Sequence, residues 1–236
     1  MRAAMSAVEV YRKTRKLPDF AWNLYVCRPV AAVLVAAVRD TRLTPNQVTL
    51  GAFGVAVVSV AMVVGLPGYW GFVAAIAVFE LSYVLDCADG MLARWRGIQS
   101  TPGHLLDFLM DEIKAFMLLG AIAVRMWRER GDVLFLLIGI AGLVALASGI
   151  ALTTFLRRPE IAGAPVPAGE ARPRSLLRRA LGVVESAARL LIHYPSYILF
   201  VALIGRIELY LYPYVAVNAL YAVRAFASVA LRFGRS

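Results

Sequence analysis

Apolar segments of about 20 residues recur along this chain, and they limit the folds open to it. A helix of roughly that length crosses the ~30 Å hydrocarbon core of a bilayer. Of the 236 residues, 61% are hydrophobic and 17% are charged, a balance outside the range of ordinary soluble domains. The sequence therefore predicts an all-α membrane protein with one membrane domain.

Six segments are long and apolar enough to be transmembrane helices. We expect them at 47–65, 68–93, 103–125, 132–155, 187–205 and 208–231. The preceding segment 21–39 is also apolar, but Arg28 and Pro29 interrupt it. That interruption favours an amphipathic helix at the membrane interface. The chain then divides into 1–46, a cytoplasmic N-terminus with an interfacial helix, and 47–236, a six-helix transmembrane domain.

Most of the 25 Lys and Arg residues lie in alternate connections, including the hydrophilic segment at about 157–185. The positive-inside rule then places that segment as a cytoplasmic loop and puts both termini in the cytoplasm, at the inner membrane if the source is bacterial. The net charge of +10 also fits anionic lipid headgroups, so we expect no nucleic-acid partner. Cys27 and Cys87 are too few for a disulfide framework.

Four aspartates stand out because acidic residues are rare in the other apolar segments. Asp86 and Asp89 lie near the cytoplasmic end of the second segment, and Asp107 and Asp111 lie near the cytoplasmic start of the third. A charge at membrane depth is costly unless it pairs, meets water or binds an ion. The pattern indicates a functional site.

Helical periodicity brings these aspartates onto two facing surfaces. At 100° per residue, Asp86 and Asp89 share one helix face, and Asp107 and Asp111 share a face of the next helix. Facing carboxylates repel each other unless cations neutralise them, and oxygen-only ligands select Mg²⁺ or Mn²⁺, here as one ion or as a bridged pair. Small residues on the same faces leave room for a diphosphate: Gly90, Ala93 and Gly103.

The segment 85–112, LDCADGMLARWRGIQSTPGHLLDFLMDE, resembles the signature of the CDP-alcohol phosphotransferases. That signature is D-x2-D-G-x2-A-R-x8-G-x3-D-x3-D, and every fixed position is matched. The segment TPNQVT, at 44–49, also resembles the start of the first transmembrane helix in that family. Six transmembrane helices after a surface helix are the family's architecture.

The resemblance implies roles for individual residues. Asp86, Asp89, Asp107 and Asp111 would bind the metal ions, with two ions expected. Asp111 would also be the catalytic base that takes the proton of the acceptor hydroxyl. The acceptor oxygen would then attack the β-phosphorus of the donor and release CMP. The expected CDP-binding residues are Asn46, Thr49, Asp89, Gly90, Ala93, Arg94 and Gly103, and the family also implies a homodimer.

Acceptor-binding candidates lie close to the aspartates and at the end of the fourth segment. Lys114 could contact an acceptor phosphate, or it could be an ion-pair partner of Asp111 three residues earlier. Arg157 and Arg158 could bind an anionic acceptor, although topology alone also accounts for their position. His104 lies at the mouth of the expected cleft and has no assigned role.

The donor predicted first is CDP-diacylglycerol, with a small polar alcohol as acceptor and a phospholipid as product. Inositol phosphate, glycerol phosphate and serine are all open as acceptors. The signature fits equally well a soluble CDP-alcohol that reacts with a lipid or polyol-phosphate acceptor. A membrane cation transporter is an alternative of another class, but the other segments carry too few acidic residues to continue an ion path.

Some polar residues of the apolar segments are expected to be structural. Glu80 lies about 120° around its helix from Asp86, which favours a structural pair, with Arg224 as a candidate partner. His193 is expected to be packed or interfacial. An interfacial aromatic belt is predicted at the start of the last segment, formed by Tyr210, Tyr212 and Tyr214.

Overall fold

The computed structural model describes residues 2–162, 186 and 188–234, and every regular element in these ranges is helical. A π-helical turn, Asn23–Cys27, precedes α2, and a 3₁₀ turn, Tyr194–Ser196, precedes α8. The α-helices fully contained in the described residues are α1 (Arg2–Thr14), α2 (Arg28–Val38), α3 (Pro45–Gly65), α4 (Gly68–Arg96), α5 (Thr101–Arg130), α6 (Leu134–Leu156), α7 (Pro159–Ala162), α8 (Ile198–Ile204) and α9 (Glu208–Phe233).

Four of the described helices, α3, α4, α6 and α9, have the length and hydropathy needed to cross a membrane. They coincide with four of the expected segments, so an all-α membrane protein is confirmed. The expected third segment lies within α5, which is 30 residues long but carries Asp107, Asp111, Glu112 and Lys114 in its first half. The count of six transmembrane helices stays a prediction.

The expected fifth segment, 187–205, is broken in its described part. Residues 188–192 are helical, the 3₁₀ turn follows, and α8 has only seven residues. Pro195 within the turn has no N–H to continue a helical ladder. Of the expected cytoplasmic loop 157–185, residues 163–185 lie outside the described residues.

The N-terminal elements pack against the second half of α4. Contacts join α1 to α2 and both of these helices to α4. Between them, Pro29 stands at the start of α2 and removes one backbone donor, and the preceding turn has the wider π-helical form. This turn directs Asn23 and Arg28 inward, and both are buried. An interfacial position for the helix stays a prediction.

At one end of the bundle, α5 holds the turn that joins α3 to α4. Arg125 is 3% exposed and donates hydrogen bonds to the carbonyl oxygens of Val63 (3.0 Å), Leu66 (2.8 Å) and Gly68 (2.7 Å). The carbonyls of Val63 and Leu66 lie at the end of α3, where the helical ladder leaves acceptors unsatisfied, and the carbonyl of Gly68 lies at the start of α4. The Arg125 guanidinium therefore fixes the turn end of the bundle.

At the other end, a short connection places α5 antiparallel to α4. Gly97 ends α4 with φ 68°, a left-handed conformation that favours glycine. Ser100 then caps α5, because its Oγ accepts from the backbone N–H of Gly103 at 3.2 Å. The connection thereby brings α4 and α5 to the same cavity, where Lys114 of α5 pairs with Asp86 of α4.

Two structural expectations from the sequence are wrong in part, because Glu80 has a structural partner other than Arg224 and, of the three tyrosines expected in a belt, only Tyr212 is exposed. Glu80 accepts a hydrogen bond from the indole Nε1 of Trp22 at 3.2 Å, whereas Arg224 is exposed on α9. Tyr210 and Tyr214 are 0% and 2% exposed and stack at 5.0 Å. Both tyrosines lie on the same face of α9, four residues apart, and that face packs into the bundle instead of forming an interfacial belt.

Candidate active site

A cavity of about 1130 Å³ opens where α3 and α5 begin and α4 ends. The aspartates of α4 and α5 form one side, which we call the aspartate wall: Asp86, Asp89, Asp107 and Asp111. The other side, which we call the N-terminal wall, consists of Lys16, Pro18, Asp19, Phe20, Asn23 and Arg28. Tyr83 and residues of the segment that leads to the 3₁₀ turn, including Arg189 and His193, complete the lining.

Three members of the aspartate wall form a compact oxygen cluster. One carboxylate oxygen from each of Asp86, Asp89 and Asp107 lies within 4.8 Å of the other two. Mg²⁺–oxygen bonds are roughly 2.1 Å long, so ligands on opposite sides of an ion lie about 4 Å apart. The donor set and its spacing therefore fit a hard divalent cation.

Asp111 extends this cluster along α5 and is joined to it by Lys114. The Lys114 ammonium forms an ion pair with Asp86 and another with Asp111, the latter at 3.0 Å. The Lys114 side chain is 2% exposed, whereas the Asp111 side chain is 45% exposed. Of the two roles considered for Lys114, the structure shows the ion pairs, and this lysine is absent from the described lining of the cavity. Asp111 is the accessible carboxylate.

The first turn of α3 supplies the contact to Asp89. Thr44 and Gln47 form a reciprocal capping box, and Pro45 occupies the first turn. One turn later, the Thr49 hydroxyl donates to Asp89 and also approaches the carbonyl oxygen of Pro45 at 3.2 Å. The TPNQVT segment thus both starts the helix and orients one carboxylate of the cluster.

The small residues of the signature face the same space. A Cβ atom on Gly90 would lie 3.2 Å from a guanidinium nitrogen of Arg94, and one on Gly103 would lie 3.2 Å from Asn46 Oδ1. A side chain at either position would displace a neighbour that lines the cavity. All seven expected CDP-binding residues line this cavity.

The other acceptor candidates lie elsewhere. Arg157 and Arg158 are exposed at the end of α6, and neither is among the described lining residues of the cavity. His104 lines the cavity mouth beside Asp107. The structure therefore brings the aspartates and the CDP-binding set together, but it leaves these two arginines outside.

The N-terminal wall was not anticipated from the sequence. Asp19 Oδ1 accepts from the backbone N–H of Phe20 and from Asn23 Nδ2, both at 2.8 Å, and Asp19 Oδ2 accepts from Arg28 Nε at 2.5 Å. Burial alone raises the pKa of Asp19, but the hydrogen bonds from Asn23 and Arg28 and the charge of Arg28 outweigh it and leave the pKa below its usual value. Asp19 is thus held as a carboxylate.

A second set of contacts ties this wall to the core. Tyr83 donates to Asn23 Oδ1 at 2.9 Å and lies 2.8 Å from His193 Nε2. Because a phenol has one proton, His193 Nε2–H must be the donor of that second bond, and Nδ1 then accepts from Ser196 Oγ at 2.5 Å. The His193 ring also stacks on Phe20 with centroids 3.9 Å apart. The only signal in the sequence was the pair of polar residues, Asn23 and Arg28, in an apolar segment.

The fold and the site define a membrane protein with a carboxylate cluster in the lining of a large cavity. The model of the family CDP-alcohol phosphatidyltransferase matches residues 42–207. The chain belongs to this family, which supports transfer of a phospho-alcohol unit from a CDP-alcohol. A search of curated proteins gave no match.

Proposed function

We propose that this protein transfers the phosphatidyl group of CDP-diacylglycerol to the hydroxyl of a small polar alcohol and releases CMP. The observation that carries the proposal is the convergence of all four signature aspartates and all seven CDP-binding candidates on one cavity. The proposal includes a cytoplasmic active site, two bound Mg²⁺ or Mn²⁺ ions and a homodimer. The last of these rests on family membership alone.

Asp86, Asp89 and Asp107 would hold the metal, together with Asp111, because their oxygens have the chemistry and spacing of a hard-ion site. Bound divalent ions would neutralise the diphosphate and stabilise the leaving phosphate oxygen. Thr49 orients Asp89 within this set, and Lys114 fixes the separation of Asp86 and Asp111.

Asp111 is the base in this proposal. Its side chain is the most accessible of the ion-paired carboxylates around Lys114. Lys114 contacts Oδ1, which leaves Oδ2 for the acceptor hydroxyl. The proton of that hydroxyl passes to Asp111 while the acceptor oxygen bonds to the β-phosphorus. The bond from the β-phosphorus to the bridging oxygen breaks, and CMP leaves with its electron pair.

Purified protein in detergent is incubated with CDP-diacylglycerol, Mg²⁺ or Mn²⁺ and separate alcohols, and CMP release is measured. The panel contains inositol phosphate, glycerol phosphate and serine. We expect release that requires both the metal and one of the alcohols. Metal-independent release contradicts the metal assignment, and release only from a soluble CDP-alcohol shows that the donor is assigned wrongly.

The transporter alternative is tested on the same preparation. Protein reconstituted in vesicles is assayed for Mg²⁺ or Mn²⁺ flux with an entrapped indicator. Absence of CMP release with every donor, together with cation flux abolished by Asp86→Ala, would favour transport. CMP release without flux supports the enzyme.

A further inference from the structure

Arg28 is a buried cation on the wall of the cavity that faces the aspartates. Its side chain is 8% exposed, yet it belongs to the lining. Guanidinium offers five N–H donors, and among the described residues only Asp19 accepts from Arg28, through Nε. The two terminal nitrogens have no partner among the described residues, and Arg28 lines the cavity, so they can serve a ligand bound there.

The contacts behind Arg28 hold it in place. Asp19 binds Arg28 with one oxygen and Asn23 with the other. Asn23 is fixed in turn by Tyr83, and Tyr83 by His193. A buried ion pair contributes little to stability unless its remaining hydrogen-bonding groups find partners. These contacts fix the guanidinium in place but leave its terminal nitrogens without a described partner. A bound ligand explains this arrangement better than a contribution to the stability of the fold.

The charges of the cavity lead to the same conclusion. Apart from the four signature aspartates, Asp19 is the one carboxylate among the described lining residues. The basic side chains of the same lining are Lys16, Arg28, Arg94 and Arg189. Arg28 and Arg94 are close enough for their charges to repel. Once divalent ions offset the aspartate wall, the N-terminal side keeps an excess of positive charge that an anion would satisfy.

Arg28 also lies before residue 42, where the family match begins. The signature aspartates belong to the matched region, whereas Lys16, Asp19, Asn23 and Arg28 do not. The family match therefore assigns these N-terminal residues no role, and their place in the lining of the cavity is the observation that bears on one.

We propose that Arg28, oriented by Asp19, is a specificity-determining residue that binds an anionic oxygen group of a substrate in this cavity. The group is a phosphate or carboxylate, either on the donor diphosphate or on the acceptor alcohol. Guanidinium recognises both groups through paired hydrogen bonds. The inference rests on the proposed function for the identity of that substrate.

The test compares wild-type protein with Arg28→Gln, Arg28→Lys and Asp19→Asn. Arg12→Gln is the matched control, because Arg12 is exposed on α1 and does not line the cavity. CDP and inorganic phosphate are titrated in Mg²⁺ buffer, and their protection against thermal unfolding gives apparent affinities. Steady-state CMP release then gives KM for the donor and for each alcohol.

Loss of a charge-assisted hydrogen bond to substrate corresponds to roughly tenfold to hundredfold weaker binding. We expect Arg28→Gln to show that loss, Arg28→Lys a smaller one, Asp19→Asn an intermediate one and Arg12→Gln none. Weaker CDP binding with a raised donor KM identifies the donor diphosphate. Unchanged CDP binding with a raised KM for an anionic alcohol, but not for a neutral one, identifies the acceptor.

Wild-type affinities and KM values in Arg28→Gln overturn the inference. A lowered melting temperature with a reduced kcat, but with no change in any affinity or KM, also overturns it, because a purely structural role gives that result. If Arg28→Gln fails to fold, Arg28→Lys and Asp19→Asn decide on the same criteria. CMP release from wild-type protein tests the proposed function separately. If phosphate protects the protein against unfolding in a way that depends on Arg28, but no CMP is released, only the proposed function is refuted.

Discussion

The two buried cations of α5, Lys114 and Arg125, lie on one face of the helix, about three turns apart, and they bind different partners. Lys114, at the cavity end, binds the carboxylates of Asp86 and Asp111. Arg125, at the turn end, binds three backbone carbonyl oxygens of the α3–α4 connection and also pairs with Glu129 one turn later on its own helix, at 2.6 Å. One cation offsets charge that a functional site requires, and the other completes backbone hydrogen bonds that the fold requires.

The difference shows how burial alone fails to identify function in this bundle. Both side chains are buried to a similar degree. What separates them is the chemistry of their partners, because carbonyl groups at helix ends need donors in any fold. Clustered carboxylates need a reason to be present at all. The comparison yields predictions that differ in which property each substitution affects.

The largest expected effect is on turnover at the cavity end. Asp111→Asn removes the base while leaving three carboxylates for metal, so kcat should fall by roughly 10²- to 10⁴-fold. CDP binding with Mg²⁺ should change little, as measured by protection against thermal unfolding. Turnover close to that of wild-type protein would show that Asp111 is not the base.

At the turn end, Arg125→Met should lower the free energy of unfolding by about 3 kcal/mol, since three carbonyl oxygens lose their donor. Residual folded protein should keep its KM for the donor. Arg128→Met is the matched control, because Arg128 is exposed and, within the described part of the chain, binds the carbonyl oxygen of Val64 alone. Equal destabilisation by both substitutions would contradict the special role of Arg125.

Lys114→Met should destabilise the protein by about 2 kcal/mol in EDTA, because Asp86 and Asp111 lose their shared cation. Mg²⁺ should restore much of the loss, since it offsets the same carboxylates. Thermal unfolding of Lys114→Met and Arg125→Met with and without Mg²⁺ checks this. Mg²⁺ rescue of Arg125→Met to the same extent would remove the distinction between the two cations.

The smallest effect is expected for Thr49→Val, which keeps the side-chain volume but removes the hydroxyl that donates to Asp89. A hydrogen bond of this kind contributes about 1 kcal/mol, so Mg²⁺-dependent CDP affinity should weaken by about threefold to tenfold. Thr153→Val serves as control, because Thr153 is exposed and, among the residues that the structure describes, its hydroxyl bonds to its own helix. An unchanged affinity would make the Thr49 contact incidental.

The aspartate wall could be predicted because the residues that form it lie close together in the sequence. Asp86 and Asp89 are separated by one helical turn, as are Asp107 and Asp111, and a short connection joins the two helices. Helical periodicity then suffices to place all four on facing surfaces. Four of the expected transmembrane segments were equally local, each being an apolar run of sufficient length.

The N-terminal wall could not be predicted, because its contacts join residues far apart in sequence. Asn23 meets Tyr83, and Tyr83 meets His193, and no pattern in any one segment encodes those pairs. In the sequence, Arg28 and Pro29 indicate a surface interruption of an apolar helix, although they shape a turn that points inward. The partner of Glu80 is equally hidden from any local pattern, since the Trp22 indole comes from a distant segment.

The order in which the chain is synthesised gives the N-terminal wall one more property. Its residues are translated first and can meet Tyr83 and the rest of α4 early, but His193, which stacks on Phe20 and bonds to Tyr83, is translated long after the four aspartates. A nascent chain can therefore assemble its carboxylate cluster while the opposite side still lacks the contacts of His193. Closure of the cavity becomes a late event that follows placement of the C-terminal helices.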